Sequence, residues 1–134
     1  MIVVLDANIY ISSFFWGGNP RLVLERVIIK QDELLFTREI LDEIESVLSR
    51  PKFHTGKNEI EFFIKSIEEI GNKIDAKNKI KNGSRDKTDN KYIECAMAGE
   101  ADYIISGDFH LLEMKKYHNI KIVSAKDYLY TVVT

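Results

Sequence analysis

The 134-residue chain is 45% hydrophobic, which is apolar content enough for one sizeable core, and its size is that of a single domain over residues 1–134. Its 19 Lys and Arg stand against 21 Asp and Glu, a formal net charge of −2 that excludes nucleic-acid binding by bulk positive charge; any basic footprint must be local. The single cysteine, Cys95, excludes an intrachain disulfide framework and a multi-cysteine zinc site, and no apolar run approaches the roughly 18 residues of a membrane span. With a strand at the N-terminus instead of a charged leader, the expectation is a cytoplasmic protein without membrane attachment.

Ile2-Val3-Val4-Leu5 is a β-type run that ends in Asp6. The segment Ala7 to Asn19 contains Trp16-Gly17-Gly18-Asn19-Pro20, a loop whose proline suits the first turn of a helix over about Arg21 to Lys30. Leu22, Val23, Val27 and Ile29 are expected to give that helix its inward face. Glu33-Leu34-Leu35-Phe36 reads as a short buried strand, and Thr37 can cap a helix in which Ile40, Leu41, Ile44, Val47 and Leu48 keep the 3.6-residue period until Pro51. A second amphipathic helix, about Glu59 to Gly71, uses Phe62, Phe63, Ile67 and Ile70, and the two are expected to form a hairpin over the sheet.

From Lys73 to Lys91 the chain turns polar, with seven Lys and Arg against three Asp, and Asn82-Gly83-Ser84 marks a turn. A helix from about Asp89 to Ala98 carries Ile93, Ala96 and Met97 inward and stops at Gly99. Tyr103-Ile104-Ile105 is a strand that runs through Ser106-Gly107 into Asp108. A short helix over about Phe109 to Lys116 and a last strand, Ile120 to Val123, follow. Ser124 and Asp127 then resemble a capping pair for a terminal helix. Strands alternating with helices imply βαβ units and a central parallel sheet.

In an open α/β sheet, ligands bind beyond the carboxyl ends of the strands, which is where Asp6 and Asp108 fall. Asp89 at a helix start and an acid on the Thr37 helix can join them in one crevice. Helical projection puts Glu43 at one edge of the apolar face and Glu45 comparably far off the other edge, so periodicity leaves both open. Carboxylates without cysteine suit a hard ion such as Mg²⁺ or Mn²⁺, not zinc.

Leu5-Asp6-Ala7-Asn8 with Ser12, Glu39-Ile40-Leu41-Asp42-Glu43-Ile44 with Ser49-Arg50-Pro51-Lys52-Phe53, Arg85-Asp86-Lys87-Thr88-Asp89-Asn90-Lys91 with Ile93-Glu94-Cys95-Ala96, and Ala101 to Asp108 with Leu111-Leu112 follow one another along nearly the whole chain. In that order they resemble the four motifs of the PIN domain family, metal-dependent nucleases that include the toxins of many prokaryotic toxin–antitoxin pairs. The resemblance implies a three-layer α/β/α fold with a central parallel sheet. It assigns the catalytic acids as Asp6, Glu43, Asp89 and Asp108. Of these, Asp6, Asp89 and Asp108 are the ligands of Mg²⁺ or Mn²⁺, and Glu43 holds or orients water. Asn8, Ser12 and Ser106 are expected to hydrogen-bond the carboxylates or a phosphate. Two departures stand out: His110 sits where family members often have a further acid, beside the site, and Ser106 sits where Thr is common.

The implied activity is hydrolysis of RNA phosphodiester bonds by an endoribonuclease, as the toxin of a pair with a cognate antitoxin protein, and as a homodimer. The acids carry ordinary readings too: Asp6, Asp89 and Asp108 as caps or turn residues, Glu43 as a solvated helix acid. The basic stretch, with Arg50, Lys52 and Arg85, can meet phosphate or lie solvated. Phe14, Phe15 and Trp16 can stack on bases, though core or partner packing is the expected role. A haloacid-dehalogenase-type phosphohydrolase would need an acid at Asn8, and a signalling receiver domain would need paired acids after the first strand. The rival from another class is a non-catalytic PIN-fold module that binds RNA or a partner.

Overall fold

Val3, Val4 and Leu5 are all inaccessible to solvent, as are Leu34 and, nearly so, Leu35 and Phe36. Successive strand residues point to opposite faces, so unbroken burial means that both faces of the sheet are covered. This is the three-layer α/β/α arrangement. The computed structural model describes residues 1–77, 79–80 and 83–133; Asn82 of the expected Asn82-Gly83-Ser84 turn lies outside the described residues.

The strands are β1 (Ile2–Leu5), β2 (Glu33–Phe36), β3 (Asn72–Lys73), β4 (Tyr103–Ile105), β5 (Lys116–Tyr117) and β6 (Ile120–Val123), ordered β3-β2-β1-β4-β6-β5 across one sheet. All neighbours are parallel except the edge pair β5 and β6. The chain builds outward from β1 on one side as β2 and β3, then returns to the other side of β1 as β4. The order therefore reverses between β1 and β4, and in sheets of this kind the carboxyl ends at such a reversal are where a ligand crevice lies. In the register of that pair Leu5 lies opposite Ile105. The next residues, Asp6 and Ser106, are thus delivered side by side.

The helices are α1 (Ala7–Phe15), α2 (Gly18–Ile28), α3 (Arg38–Leu48), α4 (Lys57–Ile70), α5 (Asn90–Ala98), α6 (Phe109–Leu112) and α7 (Ala125–Val133). Helix α1 occupies a stretch where the sequence suggested only a loop. Its Ile-Tyr-Ile and Phe-Phe content is poor in helix formers, but Asp6 caps it and Ala7, Ile9, Tyr10, Ile11 and Ser13 are buried, so tertiary packing overrides propensity. Gly17 and Gly18 have φ of 79° and 63°, the left-handed backbone that lets α2 start immediately.

Helix α2 therefore begins before Arg21 and buries Val23, Leu24 and Val27, while Leu22 and Ile29 are exposed. Seven residues apart, Leu22 and Ile29 share a second stripe about 100° round from Val23, facing away from the core. In α4 the inward stripe is Ile60, Ile64 and Ile67; Phe62, two residues from the first two of these, points out and is 75% exposed. Met97 is likewise exposed near the end of α5. Thr37 caps α3, its Oγ1 accepting from the Ile40 N–H at 3.2 Å, and Ser124 Oγ accepts from the Asp127 N–H at 3.1 Å. Helix α6 stops at Leu112 rather than running to Lys116, because Lys116 and Tyr117 turn back to pair with Lys121 and Ile120.

Candidate metal centre

Asp6 is the first residue beyond β1, and its backbone N–H still donates to the Ile105 carbonyl at 3.1 Å, extending the β1–β4 ladder to the crevice. One carboxylate oxygen, Oδ1, accepts from the Ile9 N–H at 3.1 Å and caps α1. The other, Oδ2, accepts from Ser106 Oγ. Ser106, fully buried, also accepts the Asp108 N–H on that same hydroxyl oxygen at 2.9 Å. One hydroxyl thus fixes two acids from two strands. Burial raises the Asp6 carboxyl to about 6, against the lowering effect of Ser106 and the Ile9 and Asn8 backbone.

Asp108 caps the short α6 through Oδ1, which accepts the His110 N–H at 3.0 Å. Asp89 ends a 3₁₀ turn, Lys87–Asp89, and leads into α5. Its side chain makes no capping bond, and among the described residues its buried Oδ2 has no hydrogen-bond partner while the carboxylate is ionised. Burial, then the neighbouring Asp108, then the charges of Asp86 and Asp6 push this carboxyl up to about 8. One oxygen from each of Asp86, Asp89 and Asp108 lies within 4.8 Å of the other two.

Asp86 belongs to the third motif, where the resemblance assigns only Asp89 a role. It starts the 3₁₀ turn, accepting on Oδ1 from the Thr88 N–H at 3.0 Å and from Thr88 Oγ1 at 2.7 Å, bonds that hold its carboxyl below the usual range. The available signal was the Asp-x-Thr spacing of a turn that starts three residues before Asp89. So Asp86 stays charged where Asp89 resists charging.

Glu43 on α3 lies outside that group of three acids and does not stand free. Lys91 Nζ pairs with its Oε1, and the Tyr92 hydroxyl donates to its Oε2 at 3.1 Å. Tyr92 also accepts the Ala7 N–H at 3.0 Å, tying α3, α5 and the start of α1 together around the acids. Lys91 and Tyr92 follow Asp89 by two and three residues, and neither was singled out from the sequence as a partner of Glu43. Glu45, the alternative by helical projection, is exposed.

Asn8 is exposed on the first turn of α1 and Ser12 lies one turn beyond it; among the described residues neither side chain bonds a site acid. Among the described residues His110 Nδ1 is buried without a hydrogen-bond partner, 3.8 Å from Glu113 Oε1. In the basic stretch, Lys77 pairs with Asp75, Lys79 with Glu39 and Glu94, and Arg85 with Glu113, so much of its charge is already matched within the chain. Phe14 and Phe15 contact each other edge-on, Phe63 and Phe53 complete the cluster, and Trp16 at its rim is 72% exposed.

Three carboxylate oxygens within one ion's reach, a buried carboxylate oxygen without a partner, and like charges forced together describe a donor set suited to a hard divalent cation. The residues fit Mg²⁺ or Mn²⁺; no thiolate or imidazole stands among them. A family model for the PIN domain matches residues 2–110 of the chain. No curated protein sequence matches it. Among solved structures, the crystal structure of VapBC2 from Rickettsia felis bound to a DNA fragment from their promoter is similar at a TM-score of 0.61, with 15% identity over 91% of this chain and 97% of that one. At that identity the likeness is one of fold.

Proposed function

The chain belongs to the PIN domain family, and from that premise we propose that it is a Mg²⁺- or Mn²⁺-dependent endoribonuclease that hydrolyses RNA phosphodiester bonds. The single observation carrying this reading is the buried, partnerless Oδ2 of Asp89 in a group with Asp86 and Asp108. An ionised carboxylate in that position costs stability unless a proton or a cation meets it.

Asp89, Asp108 and Asp6 are the proposed ligands, and Asp86 joins them on the strength of its place in the 4.8 Å group. The ion, when bound, supplies a lowered pKa for water and neutralisation of phosphate charge. The chain's own groups do the rest. Ser106 fixes the direction of the Asp6 carboxylate and the backbone at Asp108, holding the two residues side by side while substrate enters. Glu43, fixed by Lys91 and Tyr92, is the acid that orients the attacking water at the edge of the crevice. Asn8 and Ser12, exposed and half-buried on α1, bond no site carboxylate among the described residues, and a phosphate is their proposed partner.

We carry the toxin role, a cognate antitoxin partner and a homodimeric state from the resemblance of the four motifs to toxin members of the family. The fold likeness to VapBC2 supports the first two. Among the described residues no helix is long and apolar enough to cross a membrane. The proposed unit is a single domain over residues 1–134 acting in the cytoplasm.

The test is cleavage of single-stranded RNA by the purified full chain with Mg²⁺ or Mn²⁺. Chelator should stop it, and Asp6→Asn should remove it while circular dichroism stays unchanged. Cleavage that survives Asp6→Asn sinks the reading. RNA bound but not cleaved under any divalent ion leaves instead the non-catalytic module of the same fold.

A further inference from the structure

The acids of the crevice fall into two unequal groups. On one side Asp86, Asp89 and Asp108 converge; among the described residues no Lys, Arg or His forms an ion pair with any of them, although the charges of His110 and Lys91 reach Asp86, and Asp89 Oδ2 has no hydrogen-bond partner. On the other side both oxygens of Glu43 are already engaged, Oε1 by the Lys91 ammonium and Oε2 by the Tyr92 hydroxyl. Lys91 is held as firmly as the acid it meets. Its Nζ also donates to the Thr88 carbonyl oxygen and lies 5.2 Å from the centroid of the Tyr92 ring, and its side chain is only 17% exposed.

Resting on the reading above, we propose that Lys91 is a built-in second cation: it fills the position at Glu43 that another divalent ion would otherwise take, so the site binds one ion per chain. An ammonium has three N–H donors and no vacant coordination position. It neutralises Glu43 and can donate to a phosphate oxygen, but it does not lower the pKa of a water. Lys91 thus divides the labour of the crevice, with charge neutralisation on the Glu43 side and water activation left to the Asp86, Asp89 and Asp108 side. It acts through Glu43 and is a positioning residue. The tether is short, because Lys91 follows Asp89 by two residues at the start of α5 and so places the two cation positions at a fixed separation.

Mn²⁺ titration of the full chain, read by electron paramagnetic resonance and calorimetry, tests the assignment without reference to cleavage. Wild type should saturate at one ion. Lys91→Met should take up a second ion, Lys91→Arg should stay at one because it keeps the cation, and Lys91→Met with Glu43→Gln should return to one. Two ions on wild type overturn the proposal, as does a folded Lys91→Met protein that still binds only one. Should Lys91→Met fail to fold, Lys91→Gln, which also removes the charge but keeps a polar end, makes the same test: two ions support the proposal and one ion overturns it. No ion on wild type would instead remove the metal-centre reading beneath it, so the two failures are distinct.

Discussion

The Tyr92 hydroxyl donates to Glu43 Oε2 at 3.1 Å while it accepts the Ala7 backbone N–H at 3.0 Å. One phenol therefore links α5 to the acid of α3 and to the first residue of α1, directly behind Asp6. Tyr92→Phe keeps the ring and its packing but leaves a buried N–H and a carboxylate oxygen without this partner. The expected loss is about 1–3 kcal/mol of folding stability by urea unfolding. RNA cleavage should fall as well, because Glu43 retains only the Lys91 contact. A variant as stable as wild type would show that water replaces the phenol.

Ser106→Ala tests the hydroxyl shared by Asp6 and Asp108. It frees Asp6 Oδ2 to turn and strips the Asp108 N–H of its acceptor without changing the ligand set. Mn²⁺ affinity should drop by roughly 10- to 100-fold, the usual consequence of removing a group that orients a ligand. Unaltered affinity in a calorimetric titration would mean that Asp6 does not depend on Ser106 for its direction.

The convergence of Asp6 and Asp108 was legible because strand identity and the order of βαβ units carry it: an apolar run followed by an acid becomes a residue beyond the carboxyl end of a strand. The sides of helices were less legible. Leu22, Ile29, Phe62 and Met97 are apolar but exposed, and hydrophobicity alone does not say which of two apolar stripes meets the sheet. Helix α1 was hidden because its stability comes from the Asp6 cap and the burial of Ile9 and Tyr10, not from residue preference. The two-residue strands β3 and β5 are too short for any period and exist because a neighbouring strand offers an open edge. The Lys91–Glu43 pair spans 48 residues and two helices, a juxtaposition only the folded chain makes.

The two raised carboxyls predict how the metal-free protein responds to pH. A folded-state value above the ordinary 3.8 means that the native chain binds the proton more tightly than the unfolded one. The associated stability is complete below about pH 4 and is lost as pH rises through about 6 for Asp6 and about 8 for Asp89. Asp32 and Asp86 shift the other way and act at lower pH, so they do not mask this window. The melting temperature of chelated protein should fall between pH 5 and pH 8.5, and added Mn²⁺ should raise it more at the higher pH, where the acids are ionised and the ion binds best. A chelated protein that melts higher at pH 8.5 than at pH 5 would contradict the crowding of charge at the site.

Asp89→Asn separates the function of this acid from its cost. The amide has nearly the carboxylate's shape but no charge, so it removes the burden that burial and Asp108 place on Asp89. It also removes the oxygen proposed to meet the cation. Metal-free Asp89→Asn protein should melt above metal-free wild type at pH 8.5, and the gap should close toward pH 5, where wild-type Asp89 is already protonated. RNA cleavage should be lost at every pH, and Mn²⁺ should no longer raise the melting temperature appreciably. A variant that is less stable than wild type in chelator at pH 8.5 would identify Asp89 as a structural acid, since a side chain kept for the fold stabilises the empty protein and one kept for a cation does not.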